Sequence, residues 1–146
     1  METKRYSPKF DKLFPAIAVP TLVLVIVPVV VSCFHPISLC VTIPVFLFVL
    51  YFLISPVFGY AELREGSVFI KYGLILKKEI PYNKIRGTEI TRKFYSDSML
   101  TLKNSLEHLN IKYNAFDVTS ISVKENAAFK EELDARVALS RTAEKA

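Results

Sequence analysis

Residues 13–61 read LFPAIAVPTLVLVIVPVVVSCFHPISLCVTIPVFLFVLYFLISPVFGYA, and they contain no Asp, Glu, Lys or Arg. A helix needs ~20 apolar residues to cross a bilayer core of ~30 Å. The stretch is too long for one crossing and suits two joined by a tight turn. Its most polar patch, Ser32-Cys33-Phe34-His35-Pro36-Ile37-Ser38, falls near the middle. Pro36 disfavours a helical backbone at His35, as a turn requires. The pattern predicts a transmembrane helical hairpin over 13–58 with its turn near 35–37, and spans near Leu13–Phe34 and Ile37–Phe58. Pro15 fits a first helical turn at little cost. Pro20, Pro28 and Pro44 lie deeper, where each frees a carbonyl and favours a kink. Neighbouring helices in a membrane can re-satisfy such groups. No GxxxG pattern marks a helix-packing face.

Outward from this stretch the charges return. Lys4, Arg5, Lys9 and Lys12 precede it, and Arg64, Lys71, Lys77 and Lys78 follow. The turn between the spans has no Lys or Arg. Lys and Arg concentrate on the cytoplasmic side of membrane proteins, so both termini are expected there, with 1–12 as a cytoplasmic segment. Tyr51 and Tyr60 are suited to anchoring at the interface. Val30-Val31-Ser32-Cys33 also resembles a lipoprotein processing box. However, the preceding apolar run is longer than a signal peptide's usual ~7–15 residues, and a second run follows at once. Cys33 and Cys40 are close enough in sequence for a disulfide, and equally suited to being two ordinary apolar residues.

Beyond Gly59 the composition is that of a water-facing domain: 15 basic and 12 acidic residues over 62–146. Short alternating runs separated by turn signals predict strands. They lie at Tyr60–Arg64, Val68–Tyr72, Leu74–Ile80, Lys84–Phe94, Ser98–Lys103, His108–Tyr113 and Val118–Ser122. Glu65-Gly66-Ser67, Ser96-Asp97 and Asn114–Asp117 read as turns. Ile85 and Ile90 have opposite parity within one run, which requires an extra residue, placed at Gly87. Leu109, Ile111 and Tyr113 share one face, and His108 is expected at the surface or an edge. The period then changes to 3.6. Ser122-Val123-Lys124-Glu125 reads as a capping box. Ala128, Phe129, Leu133 and Val137 form the apolar stripe of a helix over 123–139. The expected fold is a membrane helical hairpin followed, over 59–146, by an all-β barrel of about seven antiparallel strands. One C-terminal amphipathic helix caps it.

Several segments carry a family resemblance. They are Val68-Phe69-Ile70-Lys71-Tyr72-Gly73, Lys78-Glu79-Ile80-Pro81-Tyr82-Asn83-Lys84-Ile85, Thr91-Arg92, Ser98-Met99-Leu100, Leu109-Asn110-Ile111-Lys112-Tyr113 and Phe129-Lys130-Glu131-Glu132-Leu133. Over Leu63–Leu133 the chain resembles the bacterial pleckstrin-homology-like (PH-like) domains of the YyaB type, which often follow two membrane spans. Val123 departs from the pattern, since that family tends to carry proline there. The resemblance implies an inner-membrane protein with a non-enzymatic domain, and it names no ligand.

Signatures of chemistry are absent: no G-x-G-x-x-G, P-loop, H-E-x-x-H or G-x-S-x-G occurs. The two His and two Cys are too few and too scattered for a zinc cluster. No catalytic, cofactor or metal residue is therefore expected. The one feature pointing to a ligand is basic. Lys71, Lys77, Lys78, Lys84, Arg86, Arg92 and Lys93 surround the early strands, where a domain close to a membrane can meet anionic lipid at about 1 kcal/mol per cation. Interleaved Glu62, Glu65, Glu79 and Glu89 dilute this set, and nucleic acid is not expected. The reading is an interaction module at the inner leaflet that binds an anionic lipid or, through a strand edge, a protein partner, with self-association through edges or spans as a further use. Two alternatives remain open. One is a bacteriocin-type immunity or membrane-stress protein, and the other is an accessory subunit of a transporter or membrane enzyme.

Overall fold

The computed structural model describes residues 2–34, 36–93, 95, 98, 101–102 and 104–145. His35, the turn at Ser96-Asp97, the strand end at Phe94, and Met99, Leu100 and Lys103 of the expected fifth strand lie outside them.

The uncharged stretch forms two helices, α1 (Leu13–Ser32) and α2 (Pro36–Ile54), and α2 continues into a 3-10 turn, Ser55–Phe58. Both are long and apolar enough to cross a membrane. They pack on each other, with Leu24, Val25 and Pro28 facing Val41, Thr42 and Val45. Both helices continue through Pro20, Pro28 and Pro44. Thr21 Oγ1 donates to the Ile17 carbonyl at 2.7 Å, a polar group folded back onto its own helix. No disulfide joins Cys33 to Cys40.

The strands form two four-stranded sheets among the described residues. The first has the order β1 (Lys4–Tyr6), β2 (Tyr60–Leu63), β3 (Ser67–Lys71), β4 (Lys77–Pro81), all antiparallel. The second has the order β5 (Ile85–Arg92), β7 (Glu107–Tyr113), β8 (Asp117–Ile121), β6 (Thr101–Leu102). There β6 runs parallel to β8, which corrects the expectation of a wholly antiparallel arrangement. The chain leaving β5 returns at the far edge of the sheet rather than beside its predecessor.

β1 was not foreseen. It precedes the helical hairpin yet pairs with β2, which follows it, in the register Lys4↔Leu63 and Tyr6↔Ala61. Ser7–Lys9 then stitches to the end of β8. The Lys9 N–H donates to the Ser122 carbonyl at 2.9 Å, and the Lys124 N–H donates to the Ser7 carbonyl at 3.1 Å. The sheet domain is thus assembled from both sides of the helical hairpin, with Lys4–Tyr6 of the N-terminal segment in its first sheet.

The core lies between the sheets and beneath helix α3 (Asn126–Lys145), which packs on β5 and β7. Leu63, Val68, Ile70, Ile80, Ile85, Leu109 and Ile111 are fully buried, as are Phe129 and Leu133 of α3. Tyr6 meets the Phe129 ring edge-on at 4.9 Å. The apolar stripe of α3 differs from the expected one in two places. Ala128 faces solvent, and Arg136 is on the buried side. The helix also begins at Asn126, not 123. Ser122 stays in the sheet, its N–H donating to the Leu102 carbonyl at 3.0 Å and its hydroxyl to the Glu107 carbonyl. Asn126 Oδ1 reaches back to accept from the Val123 N–H at 2.9 Å, which fixes the turn that leads into α3.

The bulge predicted in the fourth strand is present, one residue early. The register steps from Ile85↔Tyr113 to Gly87↔Lys112, so Arg86 is the extra residue. His108 corrects the sequence reading. It is fully buried, with Nδ1 3.0 Å from the Leu106 carbonyl. Both faces of β7 are covered over His108–Ile111, so His108 and Asn110 are also inside, whereas Lys112 is exposed.

Candidate functional site

The surface facing the hairpin is built at the feet of the two helices. At the foot of α2, the β3–β4 turn comes back against the 3-10 turn. The Leu74 N–H donates to Ser55 Oγ at 3.2 Å. Gly73 is required there, because a Cβ would lie 2.0 Å from Ser55 Oγ and 3.0 Å from the Ser55 carbonyl. Lys71 and Lys77 are cross-strand partners immediately beyond this contact. Lys71 Nζ is also 5.9 Å from the centre of the Tyr60 ring, on which the Arg5 guanidinium stacks at 3.6 Å. At the foot of α1, Asp11 Oδ2 accepts from the Leu106 N–H at 3.1 Å, and the Asp11 N–H donates to the Asn104 carbonyl. The Lys93 N–H donates to the Leu106 carbonyl beside them. Arg92 pairs with Glu107, whose carboxylate lies 3.6 Å from Lys9 Nζ.

The seven basic residues singled out from the sequence therefore do not gather in one pocket. Lys71 and Lys77 stand beside α2, and Arg92 and Lys93 beside α1. Lys78 is turned onto β7, donating to the Tyr113 hydroxyl with its ammonium 4.6 Å from that ring's centre. Lys84 and Arg86 stand at the start of β5, away from Arg92 by the length of the strand. Arg86 donates to the Ala115 carbonyl at 3.0 Å. It lines a shallow groove with Lys112, Tyr113 and Phe116. Lys71, Lys77, Lys84 and Arg92 make no ion pair with a carboxylate among the described residues. Other cations are neutralised locally, as in Arg64–Glu62 at 2.8 Å and Lys112–Glu89 at 3.0 Å.

At the opposite end of the first sheet, a polar cluster ties β1 to α3. Glu132 accepts from Lys4 and Tyr6 on one oxygen, at 2.9 and 2.7 Å, and from Arg136 on the other, at 2.7 Å. Hydrogen bonding, first from Lys4 and then from Tyr6, holds its carboxyl down to about 2. Arg136 also donates to the Arg64 carbonyl at 3.1 Å and the Glu2 carbonyl at 2.8 Å. Among the described residues, no three His, Cys, Asp or Glu side chains converge as a metal site.

A family model described as "Bacterial PH domain" matches residues 60–137, from β2 into α3. The chain belongs to the bacterial PH domain family. No curated protein and no solved structure matched. The match begins after the helical hairpin, so the PH domain's edge strand β1 comes from outside the matched segment. PH domains are in general non-catalytic interaction modules, and two helices able to cross a membrane precede this one.

Sequence reasoning missed one part of this surface. Leu74, Ile75 and Leu76 were read as the start of a strand, but β4 begins only at Lys77. The three side chains are exposed at the turn beside Ser55. Three consecutive apolar residues cannot share one face of a period-2 strand, and that was the available signal.

Proposed function

We propose that this chain is a non-enzymatic interaction module, anchored in the bacterial inner membrane by α1 and α2, whose PH domain contacts anionic lipid at the inner leaflet. One observation carries the reading: basic side chains stand beside the feet of both helices, Lys71 and Lys77 at one and Arg92 and Lys93 at the other. Each cation held near an anionic surface contributes about 1 kcal/mol, and hydrogen-bonded headgroups add specificity. Placement of both termini on the cytoplasmic side is supported by the Lys and Arg flanking the hairpin. The pairing of Tyr6 with Ala61 supports it as well, since strands of one sheet must lie on one side of a bilayer.

The test is lipid analysis of the full chain purified in mild detergent. Anionic phospholipid is expected to be enriched over its share of the source membrane. Lys71→Glu with Lys77→Glu is expected to abolish the enrichment while the domain stays folded. Lys78 is left intact, because it packs on Tyr113. Identical lipid composition in wild type and variant would refute the lipid contact. A protein retained in stoichiometric amount would favour the adaptor role instead.

A further inference from the structure

The turn between β3 and β4 is held rigidly at its base. The Tyr72 N–H donates to the Leu76 carbonyl at 2.9 Å and closes the loop. The Tyr72 ring is buried, and its hydroxyl shares a hydrogen with Thr119 Oγ1. Gly73 is pressed on Ser55. What projects from this base is apolar: Leu74, Ile75 and Leu76 are 43%, 72% and 57% exposed. A folded domain gains nothing by presenting three adjacent aliphatic side chains to water.

Their level relative to the helices is fixed by the contact to Ser55. The apolar window of the second helix runs to Phe58, so Ser55 lies inside it rather than at its end. At the ~2 Å rise of a 3-10 turn, Ser55 is about 6 Å deeper than Phe58. Interfacial segments bury their apolar faces ~5–10 Å into the headgroup–acyl boundary. Val57 and Phe58, also exposed, continue the apolar surface. Lys71 and Lys77 stand immediately behind the tip, where cations meet headgroups.

We infer that Leu74-Ile75-Leu76 is a wedge of the PH domain that enters the headgroup–acyl boundary of the bilayer holding α1 and α2. The inference deepens the anchored reading above and rests on it. The wedge adds a third point of attachment beside the two helices. It fixes the tilt of the domain over the membrane and holds Lys71 and Lys77 at headgroup depth.

The chain contains no tryptophan, so a single Trp reports its own surroundings. Ile75→Trp, Phe48→Trp in the middle of α2, and Leu139→Trp on α3 are each placed in the full chain. The variants are reconstituted in zwitterionic vesicles that contain lipids brominated close to the headgroup and lipids brominated towards the chain end. Each site is exposed on the protein, so folding is undisturbed. Ile75→Trp is expected to lose most of its emission to the brominated lipid, as Phe48→Trp does, while Leu139→Trp keeps its own. Emission from Ile75→Trp as unquenched as that from Leu139→Trp overturns the wedge. A blue-shifted but unquenched signal also overturns it and assigns the tip to a second copy or another protein. If Phe48→Trp is unquenched too, the anchored reading falls and the wedge with it. Quenching of Ile75→Trp in these zwitterionic vesicles sustains the wedge even where anionic lipid is not enriched in the purified chain.

Discussion

Tyr6, on the strand before the helical hairpin, donates its phenolic hydrogen to Glu132 on the last helix across 2.7 Å. Lys4 and Arg136 complete the cluster, so one carboxylate ties an edge strand, a helix and the β2–β3 turn together. A charge-assisted bond of this kind locks strand β1 in place and so covers the edge of β2.

The cluster makes stability depend on pH in a definite direction. Glu132 is held down to about 2 from the usual 4.5, so the folded state favours the ionised form. Its contribution is complete above about pH 4.5 and is lost as the pH falls towards about 2. Thermal unfolding of the full chain in detergent, followed by circular dichroism across that window, should show a loss of stability that is much smaller in Glu132→Gln. At neutral pH that variant should be less stable by about 1–3 kcal/mol. Superimposable pH profiles would mean the cluster contributes nothing.

Phe129 is fully buried and packs edge-on against Tyr6. Phe129→Ala should destabilise the domain by about 3–5 kcal/mol, the cost of a large core truncation. Denaturant unfolding measures it, and a change below about 1 kcal/mol would show that α3 is not docked on the sheets.

Gly73 and Gly66 make a matched pair. A Cβ at Gly73 would meet Ser55, whereas at Gly66 nothing lies within 4 Å. Gly73→Ala should cost about 1–3 kcal/mol by overpacking. Gly66→Ala should remain within about 0.5 kcal/mol of wild type. Equal effects would mean that the β3–β4 turn does not rest on the helix foot.

Removal of residues 2–8 should leave α1 and α2 inserted and open the edge of the first sheet. Amide exchange should accelerate along β2, with slow self-association through that edge. Unchanged protection at Ala61–Leu63 would show that β1 is dispensable.

Much of this architecture could be read from the residues. The uncharged stretch declared two helices because charge is costly in hydrocarbon. The parity conflict between Ile85 and Ile90 required a bulge, and the bulge lies at Arg86. Ile90 nevertheless stays 38% exposed, because an inward parity does not guarantee a partner above it. Other features depend on tertiary contacts that no local pattern records. His108 has the parity of an outward residue and is buried because both faces of β7 are covered at its position, though not at Lys112. Ser122 has the spacing of a helix cap, yet its backbone is already committed to Leu102. Three residues, Lys4-Arg5-Tyr6, are too few to signal a strand, and their basic character has a second explanation in membrane orientation. For the candidate site, the sequence showed which cations are present. It could not show that Lys71 and Arg92 stand at the feet of different helices, or that Lys78 is engaged by Tyr113.

The pairing of β1 with β2 has a consequence for biosynthesis. Closing an unstructured loop as long as the chain between Tyr6 and Ala61 costs about 3–4 kcal/mol. Packing of α1 on α2 as a hairpin brings its ends together beforehand and removes most of that cost. In the anchored reading proposed above, the last strand of the sheet is added only after both crossings are complete and return the chain to its starting side. A molecule that inserted a single helix would strand Tyr6 across the bilayer from Glu132, leaving an open sheet edge for quality-control proteases to find. On that reading, completion of the first sheet depends on both crossings having been made.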